Sequence, residues 1–325
     1  MADPCLLIGD IGGTNARFAL ADPKGPAYAS ELTVLCTDYE TAELAIADYL
    51  ERNGTPEPDV VCLAAAGSVI DDSVILTNNH WSLDCRELRN SFPSAQVRLL
   101  NDFEAIAYSI PLLSESDLAT IGLEPPAIQD KTNYTIAVLG PGTGLGIAGL
   151  VSRGGDIYPI VGEGGHTGFA PENQVQLQVL KQLRERFERV SDERLLSGPG
   201  LESIYWALCR IHGERGIHRS AAEIFQRVLA SEDVHAAEAL QLFYEVLGQV
   251  AGNLAINFGA RDGVYIAGGI VKRYPDLLKT SGFRAGFENK GRYRSLMEKT
   301  PTLLIVHPQP GLLGASYCAR KLHQA

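Results

Sequence analysis

Three glycine-rich segments carry residue types from which a ligand site can be built. The first is Gly9-Asp10-Ile11-Gly12-Gly13-Thr14-Asn15. Bare glycines at 12 and 13 let backbone N–H groups point at one spot, which makes an anion-binding nest. Thr14 and Asn15 add side-chain donors. Asp10 runs against a purely anionic ligand, because it adds negative charge. A divalent cation held by that carboxylate and by phosphate oxygens removes the conflict. A plain β-hairpin closed by a glycine turn fits the same residues, and both readings stay open at this point. The second segment, Gly140-Pro141-Gly142-Thr143-Gly144-Leu145-Gly146, offers bare backbone with one hydroxyl. The third, Ala267-Gly268-Gly269-Ile270, ends the apolar run Val264–Ala267 and presents flat backbone suited to an adenine ring.

Several familiar chemistries are excluded. The first turn is not a Walker loop, because no Lys-Ser or Lys-Thr follows it. Gly144-Leu145-Gly146-Ile147-Ala148-Gly149 formally matches a dinucleotide fingerprint. Ser152-Arg153-Gly154-Gly155 comes too soon for the helix that fingerprint requires. Six cysteines stand at 5, 36, 62, 85, 209 and 318, with no CxxC pair for zinc or redox chemistry, and read as small buried hydrophobes. The formal charge of −11 over 325 residues, without a basic block, excludes a general nucleic-acid binder. The uncharged stretch from Thr132 to Ser152 holds Pro141 and five glycines, so it reads as two strands and a turn rather than a membrane helix. No basic region precedes the first apolar run, and a cytoplasmic protein with no membrane partner is expected.

The elements that must position these segments alternate. Short apolar runs Cys5–Ile8 and Ala16–Leu20 flank the first turn, and Leu32–Cys36 follows as a strand. Thr37-Asp38-Tyr39-Glu40 has the form of a capping box, which predicts a helix behind it to about Arg52, with Leu44, Ala47 and Leu50 inward. Val60–Ala65 is a continuous apolar run of the mid-sheet kind. Gln96–Leu100 is a strand, and a helix follows Asp102. Tyr134–Leu139 and Ile147–Val151 flank the second turn. Helices are predicted over Glu172–Arg189, from Pro199 to His212, over His235–Phe258 and over Leu312–Leu322, with late strands at Val264–Ala267 and Leu303–His307. Residues 6–20 and 136–151 both read strand, glycine turn, strand, which suggests two related halves.

Six ordered motifs carry a family resemblance. They are Leu7-Ile8-Gly9-Asp10-Ile11-Gly12-Gly13-Thr14-Asn15-Ala16-Arg17, Leu99-Leu100-Asn101-Asp102-Phe103-Glu104-Ala105, Gly142-Thr143-Gly144-Leu145-Gly146, Gly162-Glu163-Gly164-Gly165-His166, Glu193-Arg194-Leu195-Leu196-Ser197-Gly198-Pro199-Gly200-Leu201 and Ile266-Ala267-Gly268-Gly269. In this order and spacing the chain resembles the bacterial ATP-dependent glucokinases from residue 6 to about 315. The resemblance implies an α/β actin-like ATPase (ribonuclease H-like) fold, with two lobes and a ligand cleft between them. The break after the Asp102 helix sets a boundary near Ile110–Pro111, giving a small domain over 1–111 and a large domain over 112–308, and by the resemblance a C-terminal helix over 309–325 completes the small one. Two departures stand out. The family often has proline after the glycine in the segment that reads Ala65-Ala66-Gly67-Ser68 here. The cysteine-rich zinc motif of the related repressor and sugar-kinase group is absent, which favours the plain glucokinase branch.

The same resemblance assigns roles. Transfer of the γ-phosphoryl group of ATP to the 6-hydroxyl of glucose is implied, with Asp102 as general base. Asn101, Asp102, Glu163, His166 and Glu193 match the family's sugar-binding positions, and their types suit a hydroxyl-rich ligand. Asn101 and Asp102 also suit a helix N-cap, and the two roles are compatible. Gly9, Asp10, Ile11, Gly12, Gly13 and Thr14, then Gly142, Thr143 and Gly144, then Gly268 and Gly269, would hold ATP, with Asp10 near Mg²⁺. A homodimer is the family's usual assembly. The alternatives are a kinase for mannose, fructose or N-acetylglucosamine, and a non-catalytic sugar-sensing regulator of the same fold. Sixteen of the 33 glycines fall in segments 9–14, 140–149, 162–168, 198–200 and 268–269, so the glycine surplus concentrates at the proposed ligand contacts.

Overall fold

A computed structural model describes residues 4–54, 57–76, 79–123, 128 and 131–324. The strands are β1 (Leu6–Ile11), β2 (Asn15–Ala21), β3 (Tyr28–Leu35), β4 (Val60–Ala65), β5 (Ser73–Ile75), β6 (Ser82–Asp84), β7 (Gln96–Asn101), β8 (Leu118–Thr120), β9 (Tyr134–Pro141), β10 (Leu145–Arg153), β11 (Asp156–Val161), β12 (Val264–Ile266) and β13 (Thr302–Ile305). The α-helices are α1 (Ala42–Arg52), α2 (Cys85–Ser91), α3 (Asp102–Ser109), α4 (Gln174–Leu183), α5 (Gly198–Ile211), α6 (Ala221–Ala230), α7 (Val234–Phe258), α8 (Gly269–Lys272), α9 (Pro275–Lys279), α10 (Phe283–Glu288), α11 (Arg294–Met297) and α12 (Pro310–Gln324). The chain packs as two compact units. One comprises residues 1–114, 159–162 and 307–325, and the other 115–158 and 163–306. No helix among the described residues is long and apolar enough to cross a membrane.

The first unit is built on a sheet in the order β3-β2-β1-β4-β7. β1 and β2 are antiparallel, whereas β1, β4 and β7 run parallel. All six residues of β4 are buried, as a strand covered on both faces requires. Alternation along β1 divides the core. Leu7 and Ile11 face a cluster with Ile46, Tyr49, Leu63 and Leu88 from the α1 and α2 side. Leu6 and Ile8 face Leu100, Ala105, Leu312 and Ala315 from the α3 and α12 side. In the register Ile11 stands beside Ala65, and Ala65 beside Asn101, so the carboxyl ends of three parallel strands finish level. That edge is where open α/β sheets place ligands.

The second unit repeats the pattern. Its sheet runs β10-β9-β12-β13-β8, extended at the β10 edge by β11. β9 and β10 form the antiparallel hairpin, and β12 and β13 run parallel to β9. The order of hairpin plus two parallel strands is thus the same in both units, as the echo between residues 6–20 and 136–151 suggests. β10 continues where the fingerprint reading would need a helix, which settles that exclusion. Fifteen of the 25 residues of α7 are buried, and α5 and α10 pack along it.

Some predicted elements differ. Thr37 does not cap α1. Residues 36–38 form a single 3-10 turn, and Thr41 is the cap, accepting from Leu44 N at 3.3 Å. Segment 37–40 is pinned outside the helix because the Tyr39 carbonyl accepts from Trp81 Nε1 at 3.0 Å and Cys36 N donates to Thr14 O at 2.9 Å. The buried face of α1 is accordingly Ala42, Ala45, Ile46, Tyr49 and Leu50, leaving Leu44 and Ala47 exposed. The helix predicted over Glu172–Arg189 is shorter, because Asn173 caps it through Gln176 N and turns replace it after Leu183. All six cysteines are free; Cys36, Cys62, Cys85 and Cys209 are buried, and Cys5 and Cys318 are half-buried.

Candidate active site

In the first unit, every candidate lies at the carboxyl edge of β1, β4 and β7. The turn after β1 is closed by Gly12 N donating to Asn15 O at 2.9 Å. Asn79 Nδ2 donates to the Gly12 carbonyl at 3.1 Å and holds the turn from the side. Asp10 pairs across the hairpin with Arg17. Its carboxyl lies against Gly311 in the first turn of α12, where the missing side chain leaves room for it. Burial pushes the Asp10 pKa up, and Arg17 only partly offsets that. A carboxylate so costly to charge fits a site completed by a divalent cation.

Asn101 ends β7 and caps α3. Its Oδ1 accepts from Phe103 N at 2.9 Å and Glu104 N at 3.3 Å, and Glu104 returns a carboxylate to Asn101 N at 3.4 Å. This is a complete capping box. The free end of the same amide, Nδ2, donates to Gly67 O at 3.0 Å and ties the loop after β4 to the end of β7. Asp102 is the first residue of α3, at the positive end of its dipole, with Oδ1 accepting from Phe103 N at 2.9 Å. Glu104 is itself buried and pairs with Arg98 Nη2 at 3.3 Å. Burial raises its pKa and Arg98 draws it back. Glu104 is readable in the sequence as the third residue after an Asn cap, whereas Asn79, 67 residues from its partner, has no such signal.

In the second unit the turn Gly142-Thr143-Gly144 is closed by Gly142 N donating to Gly144 O at 2.8 Å. Gly198 N, at the start of α5, donates to Gly142 O at 2.9 Å. Gly268 sits at φ +97° after β12, and a Cβ there would stand 2.3 Å from Pro141 O. Only glycine permits both that backbone and that approach. Gly268 therefore belongs with the 142–144 turn, and Gly269 opens α8.

Glu193 joins this turn to His166. Its Oε2 accepts from Leu145 N at 3.0 Å, and its Oε1 stands 3.9 Å from His166 Nδ1. A Cβ on Gly144 would stand 2.5 Å from Glu193 Oε2, so the glycine makes space for the carboxylate. Glu163 precedes the 3-10 turn Gly164–His166, closed by His166 N donating to Glu163 O at 3.0 Å. Both side chains are exposed. Arg189 Nη1 holds the His166 carbonyl at 2.7 Å. A cavity of ≈ 80 Å³ adjoins the group, lined by Thr143, Glu193, Arg194, Ser197, Pro199 and Gly200 among others. One further residue is absent from the expected set. Asp192 is buried beside Glu193 and accepts from Thr167 Oγ1 at 2.8 Å, and burial pushes its pKa up to about 6.

Two sheets of one strand order, each with a glycine turn in its hairpin, define an actin-like ATPase fold. The glucokinase family model matches residues 7–322, and the chain belongs to that family. It is 40% identical to the glucokinase of Tolumonas auensis over 98% of each chain. The solved structure of a glucokinase from an Antarctic psychrotroph superposes with a TM-score of 0.89 at 33% identity, covering 100% of both chains. A ROK family glucokinase from Streptomyces griseus, in complex with glucose and AMPPNP, superposes with a TM-score of 0.65 at 19% identity, covering 98% of this chain and 99% of that one. That last likeness extends to the fold alone.

Proposed function

We propose that the protein transfers the γ-phosphoryl group of ATP to the 6-hydroxyl of glucose, giving glucose 6-phosphate and ADP. Membership of the glucokinase family supports the substrate pair. The observation that carries the mechanism is Asp102 at the first position of an Asn101-capped helix, level with the ends of β1 and β4. A carboxylate there accepts the hydroxyl proton as the sugar oxygen attacks, a contribution of about 10²–10⁴-fold. Asn101, Glu163, His166 and Glu193 are the proposed sugar ligands, matching neutral hydroxyls with donors and charged acceptors.

The turns at 9–14 and 142–144 present backbone N–H groups to the phosphates, and Gly268-Gly269 present flat backbone to the base. Asp10 would hold Mg²⁺, which supplies charge neutralisation to the triphosphate when bound. Phosphoryl transfer depends mainly on positioning and charge stabilisation, so rigid caps and turns matter more here than reactive side chains. Replacing Asp102 by Asn tests the base. The variant should still bind glucose, measured by calorimetry, while kcat falls by about two to four orders of magnitude. Retention of most of kcat would remove Asp102 from that role.

A further inference from the structure

The junction between α5 and α7 carries a histidine–carboxylate cluster that phosphoryl transfer does not use. His212 is the C-cap of α5, and His235 and Glu238 lie in the first turn and a half of α7. The two imidazole rings stack with centroids 4.8 Å apart and planes 24° from parallel. Glu238 Oε2 stands 2.9 Å from His212 Nε2 and 4.0 Å from His235 Nδ1. One ligand atom from each of the three side chains lies within 4.8 Å of the other two. On the far side of His235, Nε2 meets Glu214 Oε1 at 3.2 Å.

The two ring nitrogens of His235 stand in different surroundings. An ionised carboxylate only accepts, so Glu214 fixes the proton of a neutral His235 on Nε2. Nδ1 is then a bare lone pair. It is buried and without a hydrogen-bond partner. A buried acceptor left in that state is costly. Glu238 Oε2, 4.0 Å away, is another acceptor. A proton on Nδ1 does not join them, because 4.0 Å exceeds hydrogen-bond length. A metal ion does, since its bonds to imidazole nitrogen and carboxylate oxygen are roughly 2.0–2.2 Å.

We infer that His212, His235 and Glu238 form a binding site for a first-row transition-metal dication of the zinc, cobalt or nickel type, with Glu214 as the outer carboxylate that orients His235. Two nitrogens and one oxygen suit such ions. They do not suit Mg²⁺, which takes oxygen ligands. The carboxylate–histidine–metal arrangement recurs at protein metal sites because the outer acceptor fixes the tautomer and raises the basicity of the ligating nitrogen. The separations of 2.9 and 4.0 Å bracket the roughly 3.4 Å edge of a tetrahedral site. Loading requires the Glu238 carboxylate to turn and the two rings to tilt toward each other. His212 must also move its proton from Nε2 to Nδ1. Binding would join the end of α5 to the start of α7.

The test uses the intact chain after dialysis against a chelator. Cobalt is added with visible absorption as readout, and zinc in a calorimeter with Mg²⁺ present in excess. One ion per chain is expected, with d–d bands of a nitrogen–oxygen site and affinity that falls as pH drops through the imidazole range. The double variant His212→Gln with His235→Gln should lose that binding while circular dichroism and glucose turnover stay unchanged. Glu214→Gln should weaken it about tenfold to a hundredfold. His218, an exposed imidazole between α5 and α6 outside the cluster, is the control, and His218→Gln should leave binding intact. Absence of saturable binding overturns the site, and so does saturation that survives in the double variant.

Discussion

The hydroxyl of Thr167 stands 2.8 Å from Asp192 Oδ2 and 2.8 Å from the carbonyl oxygen of Gly164. A hydroxyl has one proton to give. Both contacts are hydrogen bonds at once only when Asp192 is protonated and donates to Thr167, which then donates to Gly164. Ionised, Asp192 accepts the hydroxyl's hydrogen bond, and Gly164 O keeps only the bond from Thr167 N at 3.1 Å. Thr167 follows His166 directly, so the protonation state of Asp192 sets how firmly the 164–167 turn is tied.

With His166 as a proposed sugar ligand, glucose affinity is expected to depend on pH near 6. Burial raises the Asp192 pKa to about 6, opposed by Thr167 and Arg189. Glucose KM is expected to change as pH rises through that value. Asp192→Asn is neutral throughout, and its amide can donate to Thr167, so its profile should lose that step. Glu193 and His166 are present in both enzymes, so their contribution cancels in the comparison. Superimposable profiles for the two enzymes would remove the proton from the account.

Stability should follow the same group. A carboxyl whose folded pKa is raised contributes stability that is complete below its ordinary value near 4 and is lost as pH rises through about 6. Asp192→Asn should therefore match the wild type in acid and exceed it at pH 8 by about 1–3 kcal/mol in urea unfolding. A gap that grows toward acid would contradict the sign.

Gly144→Ala should act through Glu193. The added methyl displaces a carboxylate that would lie 2.5 Å away and breaks its bond from Leu145 N. Losing one charge-assisted bond costs about 1.5–3 kcal/mol, so kcat/KM for glucose should fall about tenfold to a hundredfold. Gly142→Ala meets nothing within 4 Å, so it should leave the Glu193 bond to Leu145 N in place.

Asn101→Asp separates capping from the amide's other bond. Oδ1 still accepts from the first turn of α3, but donation to Gly67 O is gone. Thermal unfolding should shift by only a few degrees, as expected for roughly 1 kcal/mol. Glucose binding should weaken at least about tenfold, read by calorimetry, because a third carboxylate joins Asp102 and Glu104. An unchanged glucose affinity would confine Asn101 to capping.

Gly268→Ala should be strongly damaging. Its backbone is left-handed and its Cβ would enter the Pro141 carbonyl. A loss of about 2–4 kcal/mol is expected, with ATP KM rising more than glucose KM. Equal rises in both would argue that Gly268 acts through stability alone.

Much of the fold is legible because its signals are local. Glycine turns between apolar runs mark both hairpins, and Asn101-x-x-Glu104 marks the start of α3. The Thr37–Glu40 pattern misleads for the same reason. Its local signal is outweighed by Trp81, 42 residues away, which binds the Tyr39 carbonyl. β8 is similarly invisible, since it exists only through pairing with β13. At the site, the family resemblance marks Glu193 and His166 as candidates. It does not reveal that Glu193 holds Leu145, 48 residues earlier, or that Thr167 shares a proton with Asp192.

Glu193 has a consequence for cooperativity. One of its oxygens belongs to the backbone of the 142–146 turn and the other faces His166. A side chain assigned to sugar is thereby bonded to a loop assigned to phosphate. Under the proposed roles, Glu193 is a bonded element through which the two binding energies can be coupled. Thermodynamic reciprocity fixes the form of the coupling: whatever factor the sugar applies to nucleotide affinity, the nucleotide applies to sugar affinity.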